Sequence, residues 1–232
     1  MLSIGPLVPS EFLERNGPPS YNSFGCDLFE KPKEDYMKWL NTKPKSSVVY
    51  ASFGSTTTLS LDQLEEMASG LLESGRPFLW VIRDIGNQVG KLSKIEELKR
   101  HGMIVSWCSQ LEVLNHQAIG CFLTHCGWNS TVEALAAGVP TVAFSQWSDQ
   151  ATNAKMIEDV WRTGVKLKRR EGGDGLMVEG KEIKRCVNMV MEDEEMRRNA
   201  EKWGELARQA LNNSGSSAVN LQAFLDGIVL EL

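Results

Sequence analysis

The stretch FLTHCGWNSTVEALAAGVP (Phe122–Pro140) sets a His, a Cys, a Trp, an Asn, a Ser and a Glu between His125 and Glu133. An apolar run of buried-strand type precedes His125, and a run with helical spacing follows Trp128. The polar cluster therefore falls at a strand-to-helix turn, the place where open α/β folds meet their ligands.

Working outward, the same alternation recurs. SSVVYASFG (Ser46–Gly54) is a continuous β-branched run that reads as a buried strand. SLDQLEEMASGLLESG follows with Leu61, Leu64, Met67, Ala68, Leu71 and Leu72 at helical spacing; Ser60 is placed to cap it, with Gln63 three residues on and Gly75 as the stop. PFLWVIR, GMIVSWC, IGCFLTH, PTVAFS and GVKLK read as further strands. Between them lie a charged segment, a short helix in QLEVLNHQ, the helix after Trp128, and a helix in DQATNAKMIEDVW. Helices close the chain over Val178–Asp193, Glu194–Asn212 and Ser217–Ile228, and REGGDGLMVEG reads as a Gly-rich surface loop. Short, uniformly apolar strands alternating with helices specify an α/β fold, a doubly wound parallel sheet covered on both faces. Its ligands are expected beyond the C-terminal strand ends, where Trp107, His125 and Ser145 fall. Residues 1–45 are breaker-rich apart from a short helix in YMKWLNTKP and read as a linker; residues 46–232 form the domain.

Composition narrows the partners. The 232 residues carry a formal net charge of -5, are 42% apolar and 24% charged, and suffice for a sizeable core. No basic stripe suits nucleic acid. No apolar run reaches the roughly 18 residues of a membrane span, and the N-terminus has no signal-peptide pattern. Five cysteines, Cys26, Cys108, Cys121, Cys126 and Cys186, are odd in number and irregular in spacing, which suggests free thiols in a reducing, cytoplasmic setting. Adjacent His125 and Cys126 with no C-x-x-C pair make a poor metal set.

No Lys or Arg stands between Trp107 and Gln150. Backbone N–H groups at the start of the helix after Trp128 nevertheless form an anion site, aided by the macrodipole. Asn129, Ser130 and His125 supply further donors there, and Gly127 admits a close approach. Asn129 or Ser130 could instead simply cap the helix; the flanking His125 and Trp128 favour a phosphate. Glu133, one turn on, suits a vicinal diol such as ribose, or is a solvated helix glutamate. Trp107 offers a flat face for a base, or packs in the core. Asp149 and Gln150 could bind sugar hydroxyls or cap the next helix. The first strand ends in SFGSTTT rather than a dinucleotide glycine fingerprint or a P-loop, so Gly54, Ser55 and Thr56 are candidate phosphate donors.

The span Trp107–Gln150 resembles the signature box of plant family 1 UDP-glycosyltransferases: W-x-x-Q, H-C-G-W-N-S-x-x-E, G-V-P and the closing D-Q stand at the family's spacing. YASFGS and RPFLWVIR resemble other stretches of that family, and Ser145 departs from it, standing where a Pro is usual. The resemblance, nearest to anthocyanin 5-O-glucosyltransferase-like enzymes, implies a Rossmann-like C-terminal domain of a GT-B transferase. It implies that Trp107 stacks on uracil and the Cys108 backbone reads its edge. Gln110 and Glu133 would hold the ribose; Ser55, His125, Asn129 and Ser130 the diphosphate; Trp128, Asp149 and Gln150 would face the sugar. A closing Gln implies UDP-glucose as donor substrate, with no further cofactor and no metal.

SIGPLVPS resembles the family's interdomain linker. The acceptor-holding N-terminal domain, which carries the family's catalytic His, is thus expected to be missing, with no catalytic residue in this chain. Of the three histidines, His101 and His116 read as structural. The expected function is the donor-binding domain of an inverting glucosyltransferase acting on phenolics, flavonoids or carboxylic acids, inactive alone and prone to self-association through the exposed interface. The alternatives are a stand-alone nucleotide-sugar-binding module and a different nucleotide-dependent Rossmann enzyme.

Overall fold

The computed structural model describes residues 3–8, 35–55, 57–83, 89–172, 175–212 and 214–229. Most of the expected linker, including Cys26, and Thr56 lie outside the described residues.

Six strands form one parallel sheet: β1 (Val48–Ser52), β2 (Phe78–Val81), β3 (Gly102–Val105), β4 (Ile119–Thr124), β5 (Thr141–Ala143) and β6 (Gly164–Lys166). Their order is β3-β2-β1-β4-β5-β6. The chain first winds outward from β1 to β3, then returns to β1's other side and winds outward again. The crevice between the C-terminal ends of β1 and β4 is therefore the topological switch point.

All five β1 residues are buried because helices cover both faces. Val49 and Ala51 meet α2 (Leu61–Glu73) and α7 (Gly180–Glu192) in one apolar cluster; Val48 and Tyr50 meet residues of α1 (Tyr36–Asn41), α4 (Gln110–Asn115) and α5 (Trp128–Ala137) in another. The period of two divides one strand between two cores. Tyr50 stacks on its register partner Phe122, with ring centroids 4.8 Å apart. Ser60 caps α2 as expected, its side chain accepting from the Gln63 N–H, and Gly75 takes φ +69 just past the helix. The α2–α7 layer is pinned by Gln63, which exchanges two 2.9 Å bonds with the Val178 backbone.

Three local differences from the sequence reading have physical causes. The charged segment contains α3 (Ile95–His101); with only Leu98 buried its apolar period is thin, but Glu96 and Glu97 in the first turn and Lys99, Arg100 and His101 in the last complement the dipole. The helix expected over DQATNAKMIEDVW is α6 (Gln150–Lys155) followed by a π turn over Met156–Val160, closed by Trp161 N–H to Met156 O at 2.8 Å. The Gly-rich loop is an antiparallel hairpin of β7 (Arg170–Gly172) and β8 (Gly175–Met177). The chain ends in α8 (Glu194–Leu211) and α9 (Ser216–Val229). Beside α9, Ser217 exchanges two hydrogen bonds with Gly5, and Asn220 donates to Ser3 O. Among the described residues no helix is long and apolar enough to cross a membrane.

Candidate functional site

Two cavities meet at the switch point. The deeper one, about 300 Å³, is lined by Tyr50, Gly54, Ser55, Trp107, Cys108, Gln110, Ser130 and Glu133, among others. The outer one, about 350 Å³, is lined by Gly54, Ser55, His125, Gly127, Trp128, Asn129, Ser130 and Asp149. Gly54, Ser55 and Ser130 line both, so the two make one trough. Five segments contribute to its walls: the turn after β1, the end of β2, the crossover from β3 into α4, the turn from β4 into α5 and the loop before α6.

The β4–α5 turn is the most constrained. Cys126 sits at φ +64, the left-handed region that non-glycine residues rarely adopt. Its carbonyl is held by Asn153 Nδ2 at 2.9 Å, and Asn153 also donates to Asp149 Oδ2 at 2.7 Å. A buried side chain on α6 thus fixes the turn that presents His125. The imidazole lies between two glycines. A Cβ on Gly54 would stand 2.7 Å from His125 Cε1 and Nε2, and one on Gly127 would stand 2.5 Å from Nε2. Burial pushes the His125 pKa down, against a smaller opposing pull from the Asp149 carboxylate. The ring is therefore neutral at neutral pH and has one N–H to donate.

Helix α5 begins one step earlier than the sequence suggested. Its cap is Gly127, which has no side chain to offer, so neither Asn129 nor Ser130 is the cap; both lie in the first turn. The first intrahelical bond runs from Thr131 N to Gly127 O, leaving the preceding N–H groups to face the trough mouth. Trp128 is 57% exposed at that mouth.

One turn into the helix, Glu133 is largely buried, which pushes its pKa up, while a hydrogen bond from Gln110 holds it down. Gln110 Nε2 donates to Glu133 Oε2 at 2.6 Å and to Ser130 Oγ at 2.9 Å, tying α4 to α5. Trp107 lies two residues beyond the end of β3 rather than within it. Cys108 is buried, its Sγ 3.3 Å from Tyr50 Oη, so only its backbone can meet a ligand.

The structure thus gathers ten of the expected residues, Ser55, Trp107, Cys108, Gln110, His125, Trp128, Asn129, Ser130, Glu133 and Asp149, along one trough. Gln150 is different. It is 3% exposed and is not part of the lining; its Oε1 accepts from Gln146 N at 2.7 Å and Trp147 N at 3.2 Å, closing the loop before α6. Sequence reasoning missed Tyr50, Arg83 and Asn153. Arg83, just past β2, lines the deeper cavity and could have been found by extending the strand-end rule to β2. Tyr50 and Asn153 carry no such signal, being one polar atom in an apolar strand and one amide in a polar helix. Among the described residues no group of three His, Cys, Asp or Glu side chains could hold a metal ion.

A parallel sheet of this order, with a trough at its switch point and a glycine-capped helix facing it, defines a Rossmann-type domain. Residues 24–210 match the family described as UDP-glucoronosyl and UDP-glucosyl transferase, and the chain belongs to it. It is 58% identical over 232 residues to UDP-glycosyltransferase 75C1 of Solanum lycopersicum, covering 97% of this chain and 48% of that one. It is 55% identical over 235 residues to the anthocyanidin 3-O-glucoside 5-O-glucosyltransferase of Verbena hybrida, covering 99% of this chain and 50% of that one. Among solved structures, Os79 from O. sativa in complex with UDP superposes with a TM-score of 0.84 at 40% identity, over 96% of this chain and 49% of that one. The chain spans about half the length of the curated relatives it matches.

Proposed function

We propose that the trough binds a UDP-sugar, with glucose as the sugar, and that the chain is the donor half of an inverting glucosyltransferase acting on small plant metabolites. The observation that carries this reading is the trough itself: a flat Trp107 and the half-buried Glu133 carboxylate line its deep end, and a cationless donor array of Ser55, His125, Asn129, Ser130 and the α5 terminus lines its mouth. In this reading uracil lies on Trp107, Glu133 accepts from the ribose diol, and the diphosphate meets the neutral donors. Trp128 and Asp149 flank the sugar. Such donors stabilise negative charge as it builds on a departing diphosphate. The base that deprotonates the acceptor comes from outside the residues described, and contributes about 10²–10⁴-fold. A stand-alone binding module is the second reading. It is favoured by His125, the imidazole of the trough, being wedged between glycines and turned to the anion end. Four buried free thiols suit the cytosol. Exposed Val219, Leu221, Phe224 and Leu225 on α9 suit a docking face for an acceptor-holding domain or a second copy.

Calorimetric titration with UDP tests the reading. The chain should bind, and Trp107→Ala should weaken binding by roughly 1–3 kcal/mol, the worth of one base–aromatic stack. A folded chain that ignores UDP would overturn the proposal. Adding UDP-glucose and phenolic acceptors separates the two readings, since only a transferase forms glucoside when an acceptor-holding half is supplied.

Glu133→Ala should distinguish sugar recognition from anion recognition. Unpaired ribose hydroxyls cost on the order of 1–3 kcal/mol, so UDP should weaken by that amount while pyrophosphate binds nearly as before. Equal weakening of both ligands would assign Glu133 to packing alone.

A further inference from the structure

Along the floor of the deeper cavity runs a part-buried chain of hydrogen bonds that ends on Tyr50, a β1 residue that lines this cavity and not the mouth. Gln110 is its centre. Both Nε2 protons are committed, one to Ser130 Oγ at 2.9 Å and one to Glu133 Oε2 at 2.6 Å. Its Oε1 accepts from Tyr50 Oη at 3.2 Å. Tyr50 Oη also lies 3.3 Å from Cys108 Sγ. A phenol has one proton to give, and once it goes to Gln110 the Cys108 S–H must donate to Tyr50. Both groups keep those protons: burial pushes Cys108 up to about 12 and Tyr50 well above its usual value.

We propose that Tyr50, backed by Cys108, is a positioning residue that fixes which way the Gln110 amide points, and thereby sets the polarity of the nucleotide site. With its N–H groups forward, Gln110 fills a lone pair of Ser130, leaving the serine's own proton for the trough, and engages one Glu133 oxygen, leaving the other to accept. Ser130 becomes a donor for an anion and Glu133 an acceptor for a diol. Reversed, the amide would set its carbonyl against the Glu133 carboxylate and draw the Ser130 proton away from the trough. Without the Tyr50 hydroxyl, the Gln110 carbonyl is a part-buried acceptor with no donor, and the forward orientation loses the bond that secures it.

This inference rests on the trough being a nucleotide site. The test is a double-mutant cycle read as UDP affinity by calorimetry, on the wild-type chain, Tyr50→Phe, Gln110→Leu and the pair, with thermal melts alongside. Phenylalanine keeps the ring and its stack on Phe122, so the fold should survive. Tyr50→Phe should weaken UDP by about tenfold, the order expected for one such bond. In the Gln110→Leu background the same change should cost nothing further, because the residue through which Tyr50 acts is gone. Wild-type affinity in Tyr50→Phe, or losses that multiply in the pair, would overturn the positioning role while leaving the nucleotide site standing. No UDP binding by the wild-type chain would overturn both.

Discussion

Gly54→Ala should lower UDP affinity by about ten- to a hundredfold while the chain stays folded. The added Cβ would stand 2.7 Å from two ring atoms of His125, closer than such contacts allow. The ring cannot retreat across Gly127, whose own Cβ position lies 2.5 Å from Nε2. Gly54 also sits at φ +73, where an L side chain adds roughly 1–2 kcal/mol of strain. Swinging His125 out removes a hydrogen bond to a charged group, worth about 1.5–3 kcal/mol. Calorimetry with UDP reads the loss, and circular dichroism checks the fold. Wild-type affinity in this variant would show that the imidazole does not meet the ligand.

Asn153→Ala should destabilise the chain by about 1–3 kcal/mol, with UDP binding weakened beyond what the stability loss explains. The change orphans the buried Cys126 carbonyl, which costs on the order of 1–3 kcal/mol, while the exposed Asp149 carboxylate loses its partner to water at little cost. It also leaves the left-handed Cys126 without the bond that holds its carbonyl. Each kcal/mol lowers the melting temperature of a chain this size by about 2–4 °C. A melt within one degree of wild type would show that the turn holds its own shape.

Much of this architecture is local and could be read locally. The β-branched runs became β1, β4 and β5, Ser60 and Gly75 bracket α2 as their chemistry demands, and the polar cluster after Phe122 opens α5. Strand order was not legible, because pairing β1 with β4 joins residues some seventy positions apart by bonds every strand offers alike. Helix α3 escaped notice because charge complementarity, rather than an apolar stripe, marks it. Within the site, the side chains that reach the trough from turns could be named. Those that act from beneath could not. Tyr50 reads as one more apolar strand residue, and Asn153 as one more polar helix residue. Gln150 was legible only in part: its amide could serve a sugar or a loop, and the path of residues 146–150 adds that the loop takes its carbonyl.

The trough is walled by segments that come from both halves of the sheet, on either side of the switch point. A ligand held by several of them at once acts as a removable tie between the two halves. Mass action then sets how firmly the tie is fastened: at a ligand concentration one hundred times its dissociation constant the folded state gains about 2.7 kcal/mol. With the trough occupied as proposed, the lifetime of the chain in a proteolytic environment would follow the supply of its ligand.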